Sequence, residues 1–158
     1  TQSTANLIVV DNDVAEISIN DVTVLEGNNG TTNAIFTVKL SNPSTQLVTV
    51  NYSTSDDSAT VADGDYTNIL ATLLTFNPGE ISKTITVAVN GDEKVEGDET
   101  FNLNLSNATN AAIADNTGVA IITNDDVSPI VNNVTSTAPD GNYTVGQAIP
   151  ITVTFSKN

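Results

Sequence analysis

Apolar and polar residues alternate with a period of two along much of this chain. Phe36, Val38 and Leu40 alternate with Thr37 and Lys39, and Val48, Val50 and Tyr52 with Thr49 and Asn51. Ile85, Val87 and Val89 repeat the pattern, as do Phe101, Leu103 and Leu105 around Asn102 and Asn104. Successive side chains of a strand point to opposite faces, so each segment predicts a strand with one buried face. Ile17 and Ile19, followed by Val22 and Val24, predict a first strand kinked at Asn20 and Asp21. Leu74 and Phe76 end a strand just before Asn77, Pro78, Gly79 and Glu80. Pro then Gly at the two central positions favours a type II turn, because Pro sets the first φ and Gly accepts the positive one. Residues 119–123 form the last strand before Asn124, Asp125 and Asp126. No segment keeps a 3.6-residue apolar period over a useful length.

About seven short strands separated by turn-rich loops predict an all-β fold, an antiparallel seven-stranded β-sandwich of immunoglobulin-like architecture. Thr, Val and Ile favour strands, and Asn, Asp and Gly favour turns. With 4% aromatic residues, the core is expected to be mainly Val, Ile and Leu. Residues 14–126 are read as this sandwich. Residues 7–13 echo residues 120–126, each an apolar strand ending in Asp and Asn. A tandem array of domains explains the echo, with residues 1–13 the last strand of a preceding repeat. The N-terminus opens in mid-pattern, as expected of a piece of a longer chain. After Asp126 the texture changes. Val127, Ser128 and Pro129 read as a linker, and 131–135, 141–145 and 149–155 as opening strands of a following β-sandwich module within 127–158.

Charge narrows the function. The net charge is −15, and Lys39, Lys83, Lys94 and Lys157 are the only basic residues. Such a chain cannot neutralise phosphates, which excludes nucleic acid as a partner and argues against anionic membrane surfaces. No apolar run approaches the roughly 20 residues that span a bilayer, so direct membrane insertion is not expected. Cys and His are absent, which removes disulfides, thiolate sites and the usual ligands of zinc, haem and copper. The same absences, with no Arg and no Gly-rich phosphate loop, leave no activated nucleophile or tuned acid–base pair, so the chain is not expected to be an enzyme. Acidic pairs could serve a glycosidase, but the aromatics that line such clefts are scarce. Divalent cations are the natural counter-charges.

The acidic run at 90–101 carries the chemistry. Asp92, Glu93, Glu96, Asp98 and Glu99 crowd between two predicted strands, offset only by Lys94. A solvated acidic loop is one reading. The other is a bound hard cation that relieves the repulsion, and oxygen-only ligands point to calcium.

The motifs also occur in an order that resembles the Calx-beta domain of sodium–calcium exchangers, integrin β4 and many bacterial surface proteins. The matching residues are Val24, Leu25, Glu26 and Gly27; Tyr52 through Asp56; Asp65 and Tyr66; Phe76 through Glu80; Asp92 with Glu96 through Phe101; and Ile121 through Asp126. The resemblance implies a sandwich that binds calcium at one tip, with ligands Glu26, Asp56, Asp92, Glu96, Glu99, Asp125 and Asp126. Asp98 is read as a solvated charge. Three positions depart from the pattern. Gly91 stands where the exchangers carry a further Asp, Asn124 replaces the first Asp of the terminal triplet, and Asp57 stands where Gly is common. The tail from Pro129 resembles the start of bacterial immunoglobulin-like or cadherin-like modules. The expected role is a calcium-binding structural or adhesive repeat of a large secreted or cell-surface bacterial protein, with calcium stiffening loops and joints. Expected partners are neighbouring repeats and a surface or matrix ligand. The alternatives are a calcium-sensing regulatory domain, or the protomer of a homo-oligomer or extracellular filament assembled by strand exchange.

Overall fold

The computed structural model describes residues 14–156. The expected strand within 1–13 lies outside them. Strands β1 (Glu16–Ile19), β2 (Val22–Leu25), β3 (Thr31–Leu40), β4 (Val48–Asp56), β5 (Thr72–Phe76) and β6 (Ser82–Asn90) come first. They are followed by β7 (Glu99–Thr109), β8 (Ala112–Ile113), β9 (Thr117–Thr123), β10 (Val131–Ser136) and β11 (Ile151–Phe155). The chain divides into two compact units at Asp125/Asp126.

The first unit is a sandwich of two sheets, ordered β6-β3-β1-β8 and β2-β9-β7-β4-β5. Its inward residues are those of the alternating pattern. Ile17, Phe36, Val38, Val48, Val50, Val87, Val89, Phe101 and Leu103 are all buried in one core. Phe101 sits at its centre, stacked on Tyr66 at 4.2 Å and edge-on to Phe36 at 6.2 Å. Burying a side chain of that size contributes about 2–3 kcal/mol.

Among the described residues the sandwich has nine strands, and the pairing is not wholly antiparallel. The kink at Asn20 and Asp21 divides the expected first strand between the sheets. β1 pairs antiparallel with β3, whereas β2 pairs parallel with β9. Side chains pin the crossing. Asn20 Oδ1 accepts from the Thr37 N–H at 2.5 Å, and Asp21 Oδ1 accepts from the Val119 N–H at 2.8 Å. Gly118 leaves room for it, since a Cβ there would stand 2.7 Å from the Asn20 carbonyl oxygen. The ninth strand is the two-residue β8, which pairs parallel with β1 and is too short for its alternation to be read.

The second unit contains an antiparallel hairpin of β10 and β11. Residues 141–145, expected as a strand, form no strand. Gln147 N–H donates to the Thr144 carbonyl at 3.1 Å, and Gly146 takes a positive φ of 88°, which closes a turn instead.

Strand direction positions the functional residues. β2, β4, β6 and β9 end at the same tip of the sandwich where β3 and β7 begin. The loops after β2, β4, β6 and β9 therefore gather there, and all seven candidate ligands lie at that tip.

Candidate metal centre

Three of the seven converge. One carboxylate oxygen each from Glu26, Asp92 and Asp126 lies within 4.8 Å of the others. Glu26 and Asp126 are 8% and 5% exposed, and Asp92 is exposed. Burying charged carboxylates is costly unless a counter-charge or hydrogen bonds compensate. Calcium holds oxygens at 2.3–2.6 Å, so two ligands across one ion are separated by roughly 5 Å or less. The donor set and its spacing fit such an ion.

Backbone geometry explains the convergence. Glu26 N–H donates to the Thr123 carbonyl at 3.2 Å, which continues the β2–β9 pairing one residue past the strands. Gly27 then turns with φ 78°, and its N–H donates to Asp125 Oδ1 at 3.2 Å. Gly91 N–H donates to the Gly30 carbonyl at 3.0 Å. Here the two loops touch. A Cβ on Gly91 would fall 2.1 Å from the Gly27 carbonyl oxygen and 2.7 Å from that of Glu26. Only glycine fits, which explains why this position carries no Asp. The next residue, Asp92, accepts at Oδ1 from the Lys94 N–H at 2.7 Å, and this turn holds its carboxylate.

The other candidates have separate surroundings. Asp56 Oδ1 accepts from the Tyr66 hydroxyl at 2.6 Å and from the Val61 N–H at 3.1 Å. Burial, followed by that carboxylate, pushes the Tyr66 hydroxyl well above its ordinary pKa, so it stays a donor. Glu96 forms an ion pair with Lys94, and its carbonyl accepts from Asn124 Nδ2 at 2.8 Å. Glu99 is pushed up to about 7, first by burial and then by the charge and hydrogen bonding of Asp65, with Glu96 adding to it. The tip thus has two acidic groups, Glu26–Asp92–Asp126 and Asp65–Glu96–Glu99.

A model of the Calx-beta domain matches residues 6–127. The chain belongs to the Calx-beta family. This Calx-beta domain has no match among curated proteins. Among solved structures it is similar to the apo form of the Calx CBD1 domain, with 23% identity and a TM-score of 0.64. That match covers 72% of this chain and 100% of the other. It is also similar to the calcium binding domain CBD12 of CALX1.1, at 22% identity and a TM-score of 0.62, over 74% of this chain and 50% of that one. The Calx CBD2 domain matches with 15% identity and a TM-score of 0.58, over 70% of this chain and 86% of that one. These likenesses establish the shared sandwich. The family is one of binding and structural modules and not of enzymes.

Within this Calx-beta domain, three residues outside the expected ligand set shape the tip. Asp65 stands beside Glu99. Asn124 ties the acidic run to the end of β9. Asp98 is exposed as expected, but its Oδ1 accepts from the Asn124 N–H at 3.1 Å, so it also braces that link. In the sequence, Asp65 and Tyr66 mark a motif without telling which side chain each one meets.

Proposed function

We propose that this domain binds calcium through Glu26, Asp92 and Asp126, and that the ion stiffens the tip as part of a structural repeat. The observation that carries the reading is the meeting of these three carboxylates, two of them buried, in the fold shared with a calcium binding domain. Calcium supplies positive charge at a hard oxygen site. The chain's own residues do the positioning. The Gly27 turn brings Glu26 in, the close contact at Gly91 brings Asp92, and the end of β9 leads to Asp126. These groups come from three distant parts of the sequence, so holding them together fixes three loops at once.

We place the parent protein outside the cell, at the surface or secreted, with neighbouring repeats of the same chain as its first partners. Support comes from the strongly acidic, cysteine-free composition and from the echo of 120–126 in 7–13.

Calcium titration by calorimetry, paired with thermal unfolding, tests the reading. An ion that binds only the folded state adds about 2.7 kcal/mol when its free concentration is a hundred times Kd. Calcium should raise Tm by several degrees over chelator, and Asp126→Ala should weaken binding tenfold or more, about 1.4 kcal/mol. Equal melting temperatures in millimolar calcium and in chelator would refute it.

A further inference from the structure

Two Asn-Gly pairs occur in this chain, Asn29–Gly30 and Asn90–Gly91. An Asn followed by Gly carries its own reaction. The glycine nitrogen can attack the side-chain carbonyl of the residue before it, and the missing Cβ leaves that approach open. The attack needs a glycine N–H that is not held and an Asn side chain free to turn toward it.

The fold treats the two pairs differently. Asn90 is half-buried at the end of β6. Its Nδ2 donates to the Gly64 carbonyl, and its main-chain N–H donates to the Asp65 carbonyl at 2.9 Å. The Gly91 N–H donates to the Gly30 carbonyl at 3.0 Å. Both reacting groups of this pair are therefore occupied, and the main chain of Glu26 and Gly27 packs against Gly91. Asn29 and Gly30, by contrast, are exposed in the turn between β2 and β3. Gly30 takes a φ of 74°, and a Cβ built on it would meet nothing within 4 Å. Among the described residues no hydrogen bond holds the Asn29 side chain or the Gly30 N–H.

We propose that Asn29 is a site of spontaneous deamidation and isomerisation, and that the fold shields Asn90 from the same reaction. The Gly30 nitrogen bonds to the Asn29 Cγ, the Cγ–Nδ2 bond breaks, and ammonia leaves with the proton lost by Gly30. Water then opens the succinimide ring at either carbonyl, which leaves aspartate or isoaspartate at position 29. Water enters, ammonia departs, and nothing is oxidised or reduced. Either product adds a carboxylate to the acidic tip. Isoaspartate also lengthens the main chain by a methylene directly before Gly30, whose carbonyl holds the Gly91 N–H. That bond is part of what shields the second pair. Conversion at Asn29 thus opens Asn90 to attack, and the two sites react in order.

The test incubates the full chain in chelator at mildly alkaline pH. Peptide mapping by mass spectrometry follows the amide-to-acid mass gain at each Asn, and labelling by an isoaspartyl methyltransferase reports the isomer. In the folded chain Asn29 should convert about tenfold faster than Asn90 or more, because a shielded site reacts only while it is locally open. In urea the two should convert at similar rates. In Asn29→Gln, whose longer side chain closes the ring poorly, folded Asn90 should convert more slowly than in wild type. Equal rates at the two sites in the folded chain, or an Asn29 that converts only in urea, overturn the proposal. Asn90 conversion in Asn29→Gln that matches wild type refutes the ordered sequence.

Discussion

The two ends of the sandwich are closed by different means. At the far end, main-chain bonds and turn residues suffice. Gly79 N–H donates to the Ser44 carbonyl at 2.9 Å, Leu40 N–H to Ile81 at 2.9 Å and Ser41 N–H to Glu16 at 2.8 Å. The turn from Asn77 to Glu80 closes with a 2.9 Å bond, and Gly79 has a φ of 87°, as expected for Pro then Gly. Its few charges are relieved locally, Glu80 by Lys83 at 2.7 Å. The acidic tip closes instead through carboxylates that crowd one another. Neutral turns close an end permanently, whereas crowded carboxylates make closure depend on what neutralises them. The far end is architecture, and the tip is where solution conditions act.

The strongest test of this contrast is Gly91→Ala. Its added Cβ collides with main chain rather than a movable side chain, so the loops must part. We expect a stability loss of about 1–3 kcal/mol, typical of overpacking. Calcium affinity should also drop at least tenfold, because Asp92 moves away from Glu26. Calorimetry and thermal unfolding measure both, and unchanged affinity would show that the contact does not position the ligand.

A second test uses pH. Glu99 has its folded pKa raised, to about 7 from an ordinary 4.5. The protonated form is therefore favoured by folding. Its stabilisation is complete below about pH 4.5 and is lost as pH rises through about 7. Glu80 has the opposite sign. Its pairing with Lys83 lowers its pKa, so its contribution is present above the ordinary carboxylate range and lost as pH falls. In chelator, the advantage of wild type over Glu99→Gln should thus shrink between pH 4.5 and 7. A pH-independent difference would break the assignment.

The smallest effect is expected at the far end. Gly79→Ala forces a positive φ on a residue with a Cβ, which costs about 1 kcal/mol, or roughly 4 °C in a domain of this size. The loss should be the same with calcium as with chelator. A calcium-dependent loss would mean that the two ends are coupled and that the contrast fails.

The alternating segments are legible in sequence because burial on a strand face imposes a period of two on each strand by itself. Phe36, Val38, Phe101 and Leu103 lie where that period puts them. The division of the first strand was visible only as a kink. Whether β2 stays with β1 or crosses to β9 depends on Asn20 and Asp21 meeting Thr37 and Val119, contacts between distant segments. The same limit applies at the tip. Strand ends place all seven acids together, but spacing along the chain does not show that Asp56 faces Tyr66 while Asp126 faces Glu26. Gly91 left a trace, as a glycine within an acidic run, but its cause is a loop more than sixty residues earlier.

The parallel pairing of β2 with β9 has a mechanical consequence. Val22 faces Ala120 and Leu25 faces Thr123, so both strands run toward the tip side by side. Tension applied through the flanking chain pulls β2 back from its first residue and β9 forward from its last. The ladder between them is then loaded lengthwise, and its bonds share the force and yield together rather than peeling one by one. Glu26 and Asp126 lie just past the tip end of that ladder, where one clasp between them would oppose the same sliding.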